Sequence, residues 1–294
     1  MPPVADAQLG PYRLLRTLGR GSMGVVHLAF DEAQQRHVAL KTLALGDGLA
    51  PADFAEARDR FLAETATARR LDHPNIVSVF GAGEHDGTAW LAMELLPGCD
   101  LGRYTTPLRL LPERVVLQVV ERVARALAHA HERGVVHRDI KPGNVMLDLP
   151  RHGVKLTDFG IAALADLSRT RTGVVLGTPV YMAPEQLAGA AADGRSDLYS
   201  LGVLLFHLLT GRLPHEHASL GGLLRQVARE PAPDLCTIRP ELAPALAAVV
   251  ARALHKQASA RQTSCAELAD ALAELQTSPA EGPQHPDAGR SALA

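Results

Sequence analysis

His137-Arg138-Asp139-Ile140-Lys141-Pro142-Gly143-Asn144 places a carboxylate, an ammonium and an amide carbonyl within one short loop. That set suits proton acceptance, phosphate neutralisation and metal ligation at a single point. An apolar helical run from Val115 to Ala130 precedes it, and the apolar Val145-Met146-Leu147 follows. The pattern predicts a polar loop mounted on packed elements. A bare HxD triplet recurs by chance, so the surrounding chain decides what this loop means.

Upstream, three runs read as strands: Tyr12 to Leu18, Val25 to Phe30 and His37 to Leu43. Gly19-Arg-Gly21-Ser22-Met-Gly24-Val25-Val26 lies between the first two. A GxGxxG also suits a dinucleotide-binding turn, but that turn needs a helix directly after the glycines. A β-rich run follows here, so the glycines read as a hairpin tip whose N–H groups can approach phosphate without Cβ clashes. In Val38-Ala39-Leu40-Lys41 the strand period puts Ala39 and Lys41 on one face. Pro51 to Leu71 reads as a helix whose apolar stripe (Phe54, Ala57, Phe61, Ala68, Leu71) also carries Glu64. A carboxylate on a packed face needs a cation, and Lys41 is the natural candidate.

Residues 76–96 give two more strands and end at Met93-Glu94-Leu95-Leu96-Pro97-Gly98, where helical periodicity takes over. Asp100 follows, suited to an exposed helix cap. A helix is predicted from Glu113 to Arg133, with His129 and His131 read as structural. Downstream come a hairpin (Val145–Leu147 with Val154–Thr157), Asp158-Phe159-Gly160, a segment with Thr170 and Thr172, and Gly177-Thr178-Pro-Val-Tyr-Met-Ala-Pro184-Glu185. An apolar helix after Asp197 and several Ala/Leu-rich helices follow to about Leu275.

These motifs, in this order over residues 12–275, resemble the protein serine/threonine kinases, in a spelling like the family's bacterial branch. The resemblance implies an α+β, two-lobed fold with the active site in the cleft. The β-rich lobe is expected at 12–95, the hinge at 94–98 and the helical lobe at 98–275, with 1–10 a disordered lead-in and 276–294 a disordered tail. It implies transfer of the γ-phosphoryl group of ATP to Ser or Thr hydroxyls, with Asp139 as proton acceptor, Lys141 on the moving phosphoryl, and Lys41 with Glu64 on the inner phosphates. Leu18, Gly19, Gly21, Ser22, Gly24, Val26, Ala39, Met93, Glu94, Leu96 and Met146 would line the nucleotide site, and a ribose contact is the other use implied for Asp100. Asn144 and Asp158 would bind Mg2+ (or Mn2+). Thr170 and Thr172 would be autophosphorylation sites, with Arg138 receiving the phosphate. Thr178 would contact Asp139 and Lys141, Asp197 would anchor the catalytic loop, and Arg261 would pair with Glu185. The Asp-Pro usual before that arginine is Gln257-Ala258 here.

Composition narrows the alternatives. A net charge of −2 points to neither nucleic acid nor a membrane surface, and Leu198 to Leu209 is too short an apolar run to span a bilayer. Three widely spaced cysteines read as free thiols, and with no signal pattern at the N-terminus the expected location is cytoplasmic. Expected partners are protein substrates, phosphothreonine-reading domains and a transient homodimer for autophosphorylation. A dead scaffold would lack one of Lys41, Asp139, Asn144 or Asp158. A small-molecule phosphotransferase would lack Lys141 and the APE-type segment. A pure binding module leaves the complete polar set unexplained.

Overall fold

Period-two alternation in the first third of the chain produces a six-stranded antiparallel sheet in the order β1-β2-β3-β4-β6-β5. Its strands are β1 (Gln8–Leu9), β2 (Tyr12–Gly21), β3 (Gly24–Asp31), β4 (Arg36–Ala44), β5 (Val79–His85) and β6 (Thr88–Met93). The computed structural model describes residues 8–21, 24–44, 51–85, 87–159 and 179–277, with side chains throughout except at 44, 51–57, 60 and 64. Gln8 and Leu9, expected in the lead-in, instead pair with Arg13 and Tyr12.

The two faces of β4 have different destinations. Val38 and Leu40 join Tyr12, Leu14, Ala29, Trp90 and Ala92 in one apolar cluster. Ala39, on the other face, packs with Val77 and Met93. The helix α1 (Pro51–Ala68) stops short of the predicted Leu71, where Arg70 and Leu71 close a turn onto Thr67 and Ala68. The chain then crosses to the second lobe. Val77 N–H donates to Leu156 O at 2.9 Å, Leu156 N–H to Asn75 O at 2.8 Å, and the Asn75 amide to Val154 O at 2.8 Å.

The hinge leads not directly into a helix but into β7 (Cys99–Asp100), which joins β8 (Val145–Asp148) and β9 (Gly153–Leu156) in a three-stranded sheet. Gly98 explains the difference. Its φ is +90°, and a Cβ there would lie 2.1 Å from the Leu147 carbonyl oxygen, so only glycine lets the hinge come this close to β8. Beyond lie α2 (Glu113–His131), α3 (Pro184–Leu187), α4 (Gly194–Thr210), α5 (Leu220–Arg229), α6 (Leu235–Ile238), α7 (Pro244–Ala253) and α8 (Cys265–Thr277). An apolar stripe along α2 is buried at Val116, Val119, Val120, Val123, Leu127 and Ala130. At roughly 1.5–3 kcal/mol per large side chain, that stripe supplies on the order of 10 kcal/mol before ordering entropy. Nearly every residue of α4 is buried, so it forms the centre of the helical lobe. The catalytic-type loop therefore sits between α2 and β8, both rigidly packed.

Candidate active site

The loop opens with His137, which is fully buried. Its Nε2 meets the Thr157 carbonyl oxygen at 2.8 Å, while Asp139 N–H donates to its Nδ1 at 3.3 Å. A carbonyl only accepts, so Nε2 carries a hydrogen, and Nδ1 is the acceptor for the Asp139 N–H. The ring also packs edge-on to Phe159, with centroids 4.6 Å apart. His137 thus staples the loop to the Asp158-Phe159 turn. The sequence showed only that a histidine belongs to the motif.

Asp139 Oδ2 is held from two sides, by Lys141 Nζ at 2.7 Å and by the Asn144 amide at 3.0 Å. The same amide donates to the Asp139 carbonyl at 2.7 Å. The carboxylate is thereby oriented, with Oδ1 left by both partners for another group. Asn144 spends its NH2 on Asp139, which leaves its amide oxygen as a hard donor. Thr157 ties the next residue to this loop, its N–H and hydroxyl donating to Asn144 O at 2.9 and 3.1 Å. Asp158 then turns through φ +66°, a strained conformation for a non-glycine residue. The strain accompanies an ion pair, Lys41 Nζ to Asp158 Oδ2 at 2.7 Å, with side chains 8% and 21% exposed. The expected Lys41–Glu64 pair lies outside the described residues at its Glu64 side chain, and the carboxylate described on Lys41 is that of Asp158.

Above this polar floor, Val26, Ala39, Met93 and Leu96 form one apolar cluster with Val77. Ala39 stands opposite Met93 across the β4–β6 ladder, and Val26 opposite Lys41 across β3–β4. Val77 escaped the sequence reading because its strand period alone could not say which lobe surface it would meet. Met146 pairs with Asp100 in the small sheet, and Leu18 is exposed on β2. The three glycines divide by role. A Cβ at Gly19 or Gly21 would meet nothing within 4 Å, consistent with an open approach, whereas one at Gly24 would lie 1.9 Å from Thr42 O. Gly24 is thus demanded by the sheet itself. Ser22 lies outside the described residues.

Asp197 is 1% exposed and accepts three bonds: His137 N–H at 2.8 Å and His131 Nε2 at 2.8 Å on Oδ2, and Arg138 N–H at 2.7 Å on Oδ1. Arg138 itself is left-handed at φ +66°, and its carbonyl accepts from Gln186 on α3. Glu185 and Arg261 form a bidentate pair at 2.8 and 2.9 Å, with the guanidinium fully buried. Burial pushes the Glu185 carboxyl up, but the bonds from Arg261, its own N–H and Ser196 outweigh this and hold it below its ordinary range. Gln257 and Ala258 do not prevent the pairing, because backbone carbonyls of His255 and Lys256 position the guanidinium. Asp100 caps the Gly102 N–H at 2.8 Å, the first of its two expected uses. Behind the hinge, Lys155 Nζ reaches Glu94 Oε2 at 2.9 Å and Ile76 O at 3.1 Å, a lock with no sequence signature. Thr170, Thr172 and Thr178 lie outside the described residues. No group of three or more His, Cys, Asp or Glu suited to a metal occurs among the described residues. Likewise, no described helix is long and apolar enough to cross a membrane.

Known proteins resemble this chain in sequence and in overall fold. The family model "Protein kinase domain" matches residues 12–273. The serine/threonine-protein kinase PknJ of Mycobacterium tuberculosis is 44% identical over 276 residues, covering 92% of this chain and 46% of the relative. Pkn1 of Myxococcus xanthus is 40% identical over 277 residues, covering 92% of this chain and 39% of the relative. The chain thus spans less than half the length of these curated relatives. The crystal structure of the M. tuberculosis PknI kinase domain superposes with a TM-score of 0.74 at 36% identity, covering 92% of this chain and 98% of the other. Rad53 in complex with AMP-PNP shares the fold, with a TM-score of 0.73 at 22% identity over 88% of this chain and 64% of the other.

Proposed function

This chain belongs to the protein kinase domain family, and from that premise we propose that it transfers the γ-phosphoryl group of ATP to Ser and Thr hydroxyls of proteins. The observation that carries the reading is the orientation of Asp139. Lys141 and Asn144 fix Oδ2, so Oδ1 is available to align the acceptor hydroxyl and take its proton. Lys141 then lies beside the transferring phosphoryl as a compact charge. Adenine fits the apolar slot of Val26, Ala39, Val77, Met93 and Leu96, between Leu18 and Met146, with the backbone of Glu94 and Leu96 at its edge. Gly19 and Gly21, open on the Cβ side, admit the phosphates, and Lys41 holds the inner ones. Glu64 is the second partner assigned to Lys41.

Asn144 Oδ1 and the Asp158 carboxylate fit a magnesium ion, a hard cation that typically keeps one or two protein oxygens. Bound there, the ion would neutralise phosphate charge. Every other contribution is positioning and electrostatics from the chain. Phosphorylation at Thr170 or Thr172 would place its charge on Arg138 and order the substrate-facing segment around Thr178. Protein substrates, phosphothreonine-reading domains, a transient homodimer and a cytoplasmic setting complete the proposal.

The test incubates wild type and Lys41→Met with γ-labelled ATP and Ser/Thr-containing protein, followed by phosphosite identification. Label on Ser and Thr from wild type alone is expected, and equal label from Lys41→Met would refute the assignment. Phosphopeptide mapping of active protein should also find phosphate between residues 168 and 178.

A further inference from the structure

Lysine is rare in this chain: it stands only at 41, 141, 155 and 256, while arginine supplies the rest of the 30 basic residues. Three of these amines lie against carboxylates, Lys41 on Asp158, Lys141 on Asp139 and Lys155 on Glu94, at 2.7, 2.7 and 2.9 Å. Lys256 is different. Its Nζ donates to Nε2 of the buried His215 at 2.8 Å and approaches the Tyr199 hydroxyl at 3.5 Å. Arg261, paired with Glu185, flanks the same Tyr199 ring, its Cζ 4.9 Å and Lys256 Nζ 5.7 Å from the centroid. A second positive charge here is therefore half-buried beside a guanidinium, with a neutral imidazole as its hydrogen-bond acceptor.

The electrostatics follow. Burial and then Arg261 lower the Lys256 amine to about 8, outweighing the opposing influence of Glu230. Burial and then the Lys256 charge hold His215 down to about 4, so its Nε2 is a bare acceptor at neutral pH. Removing the charge on Lys256 would relieve both groups.

We propose that Lys256 is an acyl-acceptor site, modified by acyl phosphates or acyl thioesters. The nitrogen lone pair attacks the acyl carbonyl carbon and an N–C bond forms. The C–O or C–S bond breaks, and phosphate or thiolate leaves with the electron pair. The amine proton passes to His215 Nε2 and then to water. The attacking amine is the uncharged form, which has already given one proton to water. The lysine charge therefore no longer opposes His215 when it takes the second proton, and only burial still holds it low. The product amide is neutral, and its N–H still suits His215. This inference stands independently of the phosphotransfer reading.

The test uses the full chain without ATP, incubated near neutral pH with acetyl phosphate or, separately, acetyl-coenzyme A. Site occupancy at the four lysines is read by tandem mass spectrometry. Lys256 is expected to acetylate about tenfold faster than the other three, since its uncharged fraction is far larger than that of an ordinary lysine near 10.4. Its rate should level off above about pH 8, and His215→Asn should slow it several-fold. Reaction in one arm alone identifies the donor class. Equal rates at all four lysines overturn the proposal, as does acetylation confined to the N-terminal amine. The comparison within wild type needs no variant to fold.

Discussion

Asp197→Asn should loosen the catalytic loop without unfolding the chain. The carboxylate accepts from His137 N–H, Arg138 N–H and His131, all in a buried setting. An amide of the same size has one oxygen. Its best orientation keeps that oxygen on His137 and His131 and turns the NH2 toward the Arg138 N–H, donor against donor. The unpaired buried N–H costs about 1–3 kcal/mol, and the two surviving bonds each lose roughly 1 kcal/mol with the charge. The sum is about 3–5 kcal/mol, within the ~5–15 kcal/mol that domains usually possess. The loss falls on Arg138, whose left-handed backbone is maintained by that bond, and Asp139 follows directly. Urea unfolding followed by circular dichroism should show the stability loss, and kcat for peptide phosphorylation should fall at least tenfold. A stability change below about 1 kcal/mol, or an unchanged kcat, would refute the assignment of Asp197 as the anchor.

Asp139→Asn should lower kcat by about 10²-fold or more while calorimetry finds ATP binding nearly intact; retained turnover would remove its role as proton acceptor. Arg261→Met should cost about 3–5 kcal/mol by leaving Glu185 half-buried and unpaired, measured by urea unfolding. The depressed Glu185 value fixes the sign of the pH effect. This pair contributes its stability above the ordinary carboxylate value of about 4.3 and loses it as pH falls through the lower folded value. Unfolding curves across that acid range should therefore lose part of their slope in Glu185→Gln. Gly24→Ala should destabilise the β-lobe by about 1–3 kcal/mol, whereas Gly21→Ala should leave the melting temperature unchanged and raise KM for ATP. The reverse pattern would refute the division between a structural and a substrate-facing glycine.

The sequence by itself determined the parts that depend on local periodicity and short spacing. The α2 stripe, the strands around the glycines, and the loop from His137 to Asn144 between packed elements all follow from a period of 3.6 or 2 broken by polar residues. The Glu185–Arg261 pair, by contrast, was implied only by the family resemblance, since no periodicity or spacing in this chain links residues so far apart. What sequence could not decide is which charged groups would meet. A strand period puts Lys41 on the cleft face but does not choose between carboxylates delivered by different elements, and in the described residues Asp158 meets it through a strained turn. Nor could it place Val77 against Ala39 and Met93, Lys155 on Glu94, or Lys256 against His215. Those contacts join residues tens of positions apart on different elements, and no local pattern encodes the distance between them. For the same reason Gly24, which looked like a phosphate-approach glycine, is required by the neighbouring strand: only the folded sheet brings the Thr42 carbonyl within 2 Å of where its side chain would begin.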